Sequence, residues 1–166
     1  MKVIFLDIDG VLNSDKYFDK IEGRDIHGIE EDIDVETIKL LRKAVEETGA
    51  KVVLSSSWRY IKRAEHLKQL LFDYGVLVHS STPYLKNERG EEIKKWLKEH
   101  PDTEDFVLLD DEVWDSYDEE LLKKLVKMSD TNGKKQFGDG LQEKDIEEII
   151  NRFGRIKRKD EDDFER

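Results

Sequence analysis

The stretch VIFLDIDGVLNS, Val3 to Ser14, decides how the chain reads. Val3 to Leu6 form an apolar run of the kind found in strands covered on both faces. The run gives way to Asp7, Ile8, Asp9 and Gly10. Two carboxylates one residue apart contribute nothing to a buried strand, because an ionised group taken out of water costs free energy unless it is paired. They mark a strand that ends on something positively charged.

Similar runs recur along the chain. The first strand is read as KVIFLDI from Lys2, followed by KVVLS from Lys51, VLVHS from Val76, FVLLD from Phe106 and a weaker LVKMS from Leu125. Amphipathic helices separate them. Asp34 is placed to cap a helix whose inner face is Val35, Ile38, Leu41 and Val45, ending before Gly49. A second helix carries Ile61, Ala64, Leu67 and Leu71, and a third carries Ile93, Trp96 and Leu97 before Pro101. The last apolar stripe is Ile146, Ile149, Ile150 and Phe153. Strand–helix alternation predicts an α/β fold of three layers, a Rossmann-like parallel sheet with helices on both faces. Residues Asn13 to Asp32 are polar and aperiodic, and are expected to form a flap or short insertion. SDTNGKKQFGDG, from Ser129, reads as a Gly-rich loop. With no internal repeat or linker, residues 1–154 are expected to form a single domain, followed by a charged, frayed tail over 155–166.

Composition narrows the function classes. Of 166 residues 42% are charged and 37% apolar, and the charges alternate in sign along stretches such as EEIKKWLKEH, as on solvated helix faces. A net charge of −11 argues against a broad nucleic-acid footprint, although a local basic groove stays possible. The absence of cysteine excludes disulfides and thiolate metal sites. No run approaches the roughly 20 apolar residues that span a bilayer. The expectation is a cytoplasmic protein with no membrane association and no obligate protein partner.

In open α/β sheets, ligands bind beyond the carboxyl ends of the strands. The second strand ends in Ser55, followed by SSWR, and the fourth ends in Asp110 and Asp111, with Asp115 close behind. Carboxylates from two strands would thus share a rim with hydroxyls from a third. A cluster of like charges needs a positive partner. Oxygen donors without thiolates suit a hard cation, and Mg²⁺ is the expected cofactor. Its remaining coordination positions suit phosphate oxygens. Ser55 to Ser57 are also expected to begin a helix, whose N–H groups would favour an anion.

These residues resemble a known family. DIDGV looks like the first motif of the haloacid dehalogenase-type (HAD) phosphohydrolases, and VVLSSSWR resembles the second. RGEEIKKWL is similar to the third motif and FVLLDDEVWD to the fourth, in its paired-acid form. The set looks most like the small HAD phosphatase domains associated with RNA-repair proteins. The resemblance implies a nucleophile at Asp7 and a general acid–base at Asp9, whose carbonyl also binds the metal. It implies a metal ligand at Asp111 with Asp110 beside it, and a phosphate-binding hydroxyl at Ser55 or, one residue on, Ser56. Arg89 would supply the fixed positive charge; Lys86, three residues earlier, is the alternative, and Arg89 is preferred because it leads directly into the helix. The implied activity is Mg²⁺-dependent hydrolysis of a phosphomonoester through an aspartyl-phosphate. The chain has little room for a cap domain. In this it resembles family members whose site stays open to large substrates, which points to a nucleotide or a nucleic-acid end; the acidic balance points instead to a phosphorylated small molecule or a nucleoside monophosphate. A receiver-like phospho-acceptor module and a catalytically silent HAD fold are the rival readings.

Each motif alone has an ordinary structural explanation, as caps, turns or solvated acids; their joint order at successive strand ends sets them apart. Trp58 and Trp96 read as core residues. Arg59 is balanced between a salt bridge that fixes its loop and a substrate contact. His27 and His79 lack spaced partners and are assigned no metal. The basic block Arg155 to Lys159 reads as a solvated helix end.

Overall fold

A computed structural model describes residues 1–60, 63–131 and 136–157. Five strands, β1 (Lys2–Leu6), β2 (Lys51–Leu54), β3 (Val78–Ser81), β4 (Asp105–Asp110) and β5 (Leu125–Lys127), form one sheet in the order β3-β2-β1-β4-β5. Every pairing is parallel. The helices are α1 (Asp15–Ile21), α2 (Val35–Thr48), α3 (Ala64–Asp73), α4 (Arg89–Glu99), α5 (Glu119–Lys124) and α6 (Glu143–Phe153). No helix among the described residues is long and apolar enough to cross a membrane.

Alternation along β1 divides the core into two layers. Ile4 and Leu6 face a cluster with Ile38 and Leu41 of α2, Leu67 and Leu71 of α3, and Ile146 and Ile149 of α6. Val3 and Phe5 face a second cluster with Ile93 and Trp96 of α4 and Leu121 of α5. The expected three-layer Rossmann-like architecture is therefore the observed one. The central strands are buried along almost their whole length, whereas the edge strand β3 is only half-covered.

Local signals explain most helix ends. The Asp34 side chain accepts from Glu36 N at 3.1 Å and caps α2, and Gly49 closes that helix with φ 71°. The buried face of α2 is Thr37, Ile38, Leu41, Ala44 and Thr48, rotated slightly from the expected one, with Val35 and Val45 half-buried at its margin. Within Asn13 to Asp32 the chain forms α1 and a short 3-10 turn over Gly28–Glu31. α1 buries none of its residues and so shows no periodicity in sequence, although its cap, Ser14 accepting from Tyr17 N at 3.0 Å, is a local signal. The helix expected to open at Ser55 to Ser57 is instead a 3-10 turn over Ser57–Tyr60, with α3 starting at Ala64. Ser56 Oγ accepts from Trp58 N at 3.2 Å and closes that turn locally. Ile61 and most of the expected frayed tail lie outside the described residues.

Candidate active site at the carboxyl edge of the sheet

Strand register builds the site. Leu6 of β1 pairs with Leu54 of β2 and with Leu109 of β4, so the residues that follow, Asp7, Ser55 and Asp110, emerge side by side. The ladder continues through them: Asp7 N donates to the Leu109 carbonyl at 3.1 Å and Ser55 N to the Leu6 carbonyl at 2.8 Å. Asp111 is drawn in against the loop after β1. Gly10 has φ 82°, and a Cβ there would lie 2.0 Å from Asp111 Oδ2, so only glycine allows this approach. Gly138 N donates to that same oxygen at 3.0 Å from the far side.

Asp7, Asp110 and Asp111 are buried, and each offers a carboxylate oxygen within 4.8 Å of the others. Burial pushes the Asp7 carboxyl well above its ordinary value and Asp110 adds to this; Arg89 and the Ile8 N–H oppose it, and Asp111 raises it further. Three buried acids with all-oxygen donors fit a hard divalent cation, which would relieve the repulsion. Asp110 is held by its own loop: Glu112 N donates to Oδ1 at 3.0 Å, and Trp114 Nε1 and the Tyr117 hydroxyl donate to Oδ2 at 3.0 and 2.8 Å. Burial, with Asp110 beside it, raises the Tyr117 phenol far beyond its usual range and keeps it a donor.

Positive charge comes from the start of α4. Arg89 is buried, its Nη1 lies 3.4 Å from Asp7 Oδ1 and donates to the Ser55 carbonyl, and its guanidinium sits 4.8 Å from the centre of the Trp114 ring. The alternative, Lys86, is exposed in the preceding loop with φ 55°. Asp115 is exposed as well, away from the three acids. The Ser55 hydroxyl is buried and has no hydrogen-bond partner among the described residues, whereas the neighbouring Ser56 hydroxyl already closes its turn. A buried orphan hydroxyl beside a cation site fits an absent anionic ligand.

Asp9 stands at the mouth, half-buried. Asn13 Nδ2 and Trp58 Nε1 both donate to its Oδ1, at 3.0 and 3.3 Å, and among the described residues none donates to Oδ2. Asn13 also accepts from Gly10 N at 2.7 Å and donates to the Asp32 carbonyl at 2.9 Å, which ties the loop after β1 into a fixed turn. Asp7, Asp9, Asp111 and Arg89 line a cavity of about 340 Å³ together with Ser57, Asn87, Glu112, Trp114 and Phe137.

Several of these contributors escape a reading of the sequence. In the sequence Asn13 reads as the start of a polar insertion, and Phe137 as part of a Gly-rich loop. Arg59 proves to be a salt-bridge residue, with Nη2 at 2.5 Å from Glu92 Oε2 and both side chains almost fully buried. Glu92 also accepts from Leu85 N at 2.9 Å, and Arg59 Nη1 donates to the Ser56 carbonyl at 2.6 Å. This pair ties the loop after β2 to α4. The one sequence hint was the placement of Glu92 three residues after Arg89, on the inner face of α4.

A family model described as the HAD domain in Swiss Army Knife RNA repair proteins matches residues 3–136. The chain belongs to this family. The match spans β1 through the segment before Phe137 and so takes in Asp7, Ser55, Arg89 and Asp111 of this HAD domain. No curated protein and no solved structure matches the chain.

Proposed function

We propose that this HAD domain is a Mg²⁺-dependent phosphatase that hydrolyses a phosphomonoester on a nucleotide or at a nucleic-acid end. The observation that carries the reading is the convergence of Asp7, the orphan Ser55 hydroxyl, Arg89 and the paired acids Asp110 and Asp111 on one rim. Membership in a family tied to RNA repair supports the substrate class.

In this reading Asp7 attacks phosphorus, and the ester bond breaks as an aspartyl-phosphate forms. Asp9, oriented through Oδ1 by Asn13 and Trp58, gives its proton to the leaving oxygen and then takes one from the water that attacks the acyl phosphate. Arg89 and the Ser55 hydroxyl hold the phosphoryl oxygens in place; Ser56 and Lys86 are the secondary candidates for that role. Asp7, Asp111 and the Asp9 carbonyl would hold Mg²⁺, with Asp110 ordering the site from its hydrogen-bonded position. When bound, the cation supplies charge neutralisation for the phosphoryl oxygens. A cytoplasmic place of action belongs to the same proposal.

The test is release of inorganic phosphate from an aryl phosphate and from mononucleotide and oligonucleotide phosphates, with Mg²⁺ and with EDTA. Mg²⁺-dependent turnover that Asp7→Asn abolishes is the expected result. Trapping by beryllofluoride without any turnover would instead favour a phospho-acceptor module, and neither response would leave a silent fold.

A further inference from the structure

Phe137 lines the cavity but has no part in holding phosphate or cation. Its backbone is fixed with care: Phe137 N reaches both oxygens of Asp15 at 3.2 Å, and Gln136 N reaches one of them at 3.0 Å. The next residue, Gly138, is the donor to Asp111 Oδ2. The ring is therefore tied to the same short segment that positions Asp111. Phe18 supports it from behind, with ring centres 5.9 Å apart, and Tyr17 continues the row at 6.0 Å. Across the site, Trp114 gives the cavity a second aromatic wall anchored on Asp110 and Arg89.

Among the described residues the ionisable ones lining the cavity are Asp7, Asp9, Asp111, Glu112 and Arg89, and Phe137 and Trp114 are its aromatic surfaces. The phosphate belongs with Arg89 and the cation, so what accompanies it can meet a flat aromatic ring. A volume of about 340 Å³ lies near the lower end of small-ligand pockets, roughly 300–1,000 Å³, and suits one nucleotide better than a duplex end.

We infer that Phe137 forms a nucleobase subsite, on which the base of the phosphorylated terminal nucleotide stacks beside the phosphate site. This rests on the phosphatase reading and extends it to a substrate class: a nucleotide, or a single-stranded end read one nucleotide deep. Stacking on an aromatic ring is tolerant of base identity, so the subsite selects for the presence of a base rather than for its sequence.

The experiment compares a trinucleotide bearing a terminal phosphate with the same trinucleotide made abasic at the phosphorylated nucleotide. Both are assayed with Mg²⁺, on the wild-type chain, Phe137→Leu and Phe137→Tyr. Leucine keeps the apolar packing against Phe18 but removes the flat ring. The wild-type chain is expected to favour the base-bearing probe in kcat/KM by about tenfold or more. That ratio should fall toward one in Phe137→Leu and return in Phe137→Tyr. A wild-type ratio near one, or a ratio that Phe137→Leu leaves intact, overturns the subsite. Calorimetric binding of both probes to Asp7→Asn runs in parallel. If no probe is hydrolysed, the phosphatase reading fails by itself, and the subsite then stands or falls on whether Phe137→Leu in the Asp7→Asn chain removes the preference in Kd.

Discussion

At Asp7, burial and the neighbouring acids favour the protonated carboxyl, while Arg89 pulls the other way. A carboxyl whose folded pKa is raised contributes stability that is complete below its unfolded value of about 3.9 and is lost as pH rises through the folded value. In EDTA, thermal melts of the wild-type chain should therefore fall as pH climbs through that window. Asp7→Asn stays neutral throughout, so it should escape this loss and melt higher than wild type at pH 7 in EDTA, while losing turnover by about a thousandfold or more. A variant both inactive and less stable would contradict this account of the site. Gly10 makes a different prediction. Alanine there would combine a left-handed backbone with a Cβ 2.0 Å from Asp111 Oδ2. Gly10→Ala should cost about 1–3 kcal/mol in denaturant unfolding and weaken Mg²⁺ activation as Asp111 is displaced. Asp7, Asp110 and Asp111 are readable in the sequence because each follows an apolar run that has to be a strand. Asn13 is not, because its partners lie in a turn that no periodicity describes.

Among the elements, α4 carries the most responsibility. It presents Arg89 to Asp7 at its first residue, packs Gly90 where a Cβ would come within 2.0 Å of the Ser116 carbonyl, and offers Glu92 to Arg59. Removing one member of a buried ion pair leaves the other charge unpaired, at about 3–5 kcal/mol. Glu92→Gln should lower stability by that order in urea unfolding, whereas Arg59→Met combined with Glu92→Leu should recover most of it. The double variant should still lose turnover, since the loop after β2 then loses its ion-pair clamp to α4 and is left with the Arg89 bond to the Ser55 carbonyl. The helices with a buried stripe, such as α6 with Ile146, Ile149, Ile150 and Phe153, are legible because burial writes a period into the sequence. α1 buries nothing, and α5 buries only Leu121, so neither leaves such a trace. For α5 the Asp118 side chain, which accepts from Leu121 N at 3.0 Å, was the signal available. A salt bridge that fixes the loop is one of the two readings the sequence allows for Arg59, but its partner Glu92 is not legible there, because it lies 33 residues on along a charge-rich helix.

At the scale of the whole molecule, the order β3-β2-β1-β4-β5 sets β1 between β2 and β4, which is why one rim gathers residues from three distant parts of the chain. That topology follows from strand–helix alternation, so the fold and the acidic rim were legible together. The aromatic side of the cavity was not, because Phe137 comes from a loop whose course the alternation leaves open. If the rim holds a cation, Mg²⁺ at a hundred times its Kd should add about 2.7 kcal/mol to the folded state. For a chain of this size that is a rise in Tm of roughly 5–10 °C, which Asp111→Asn should largely remove. A net charge of −11 means the comparison must be made at constant ionic strength. The placement of the tryptophans makes such work simpler. Of the three in the chain, Trp58 touches Asp9 and Trp114 touches Asp110 and Arg89, while Trp96 lies beneath the opposite face stacked on His100. One of the three indoles lines the pocket and a second is hydrogen-bonded to a lining carboxylate, so the ultraviolet emission of the unlabelled protein is a built-in gauge of its occupancy.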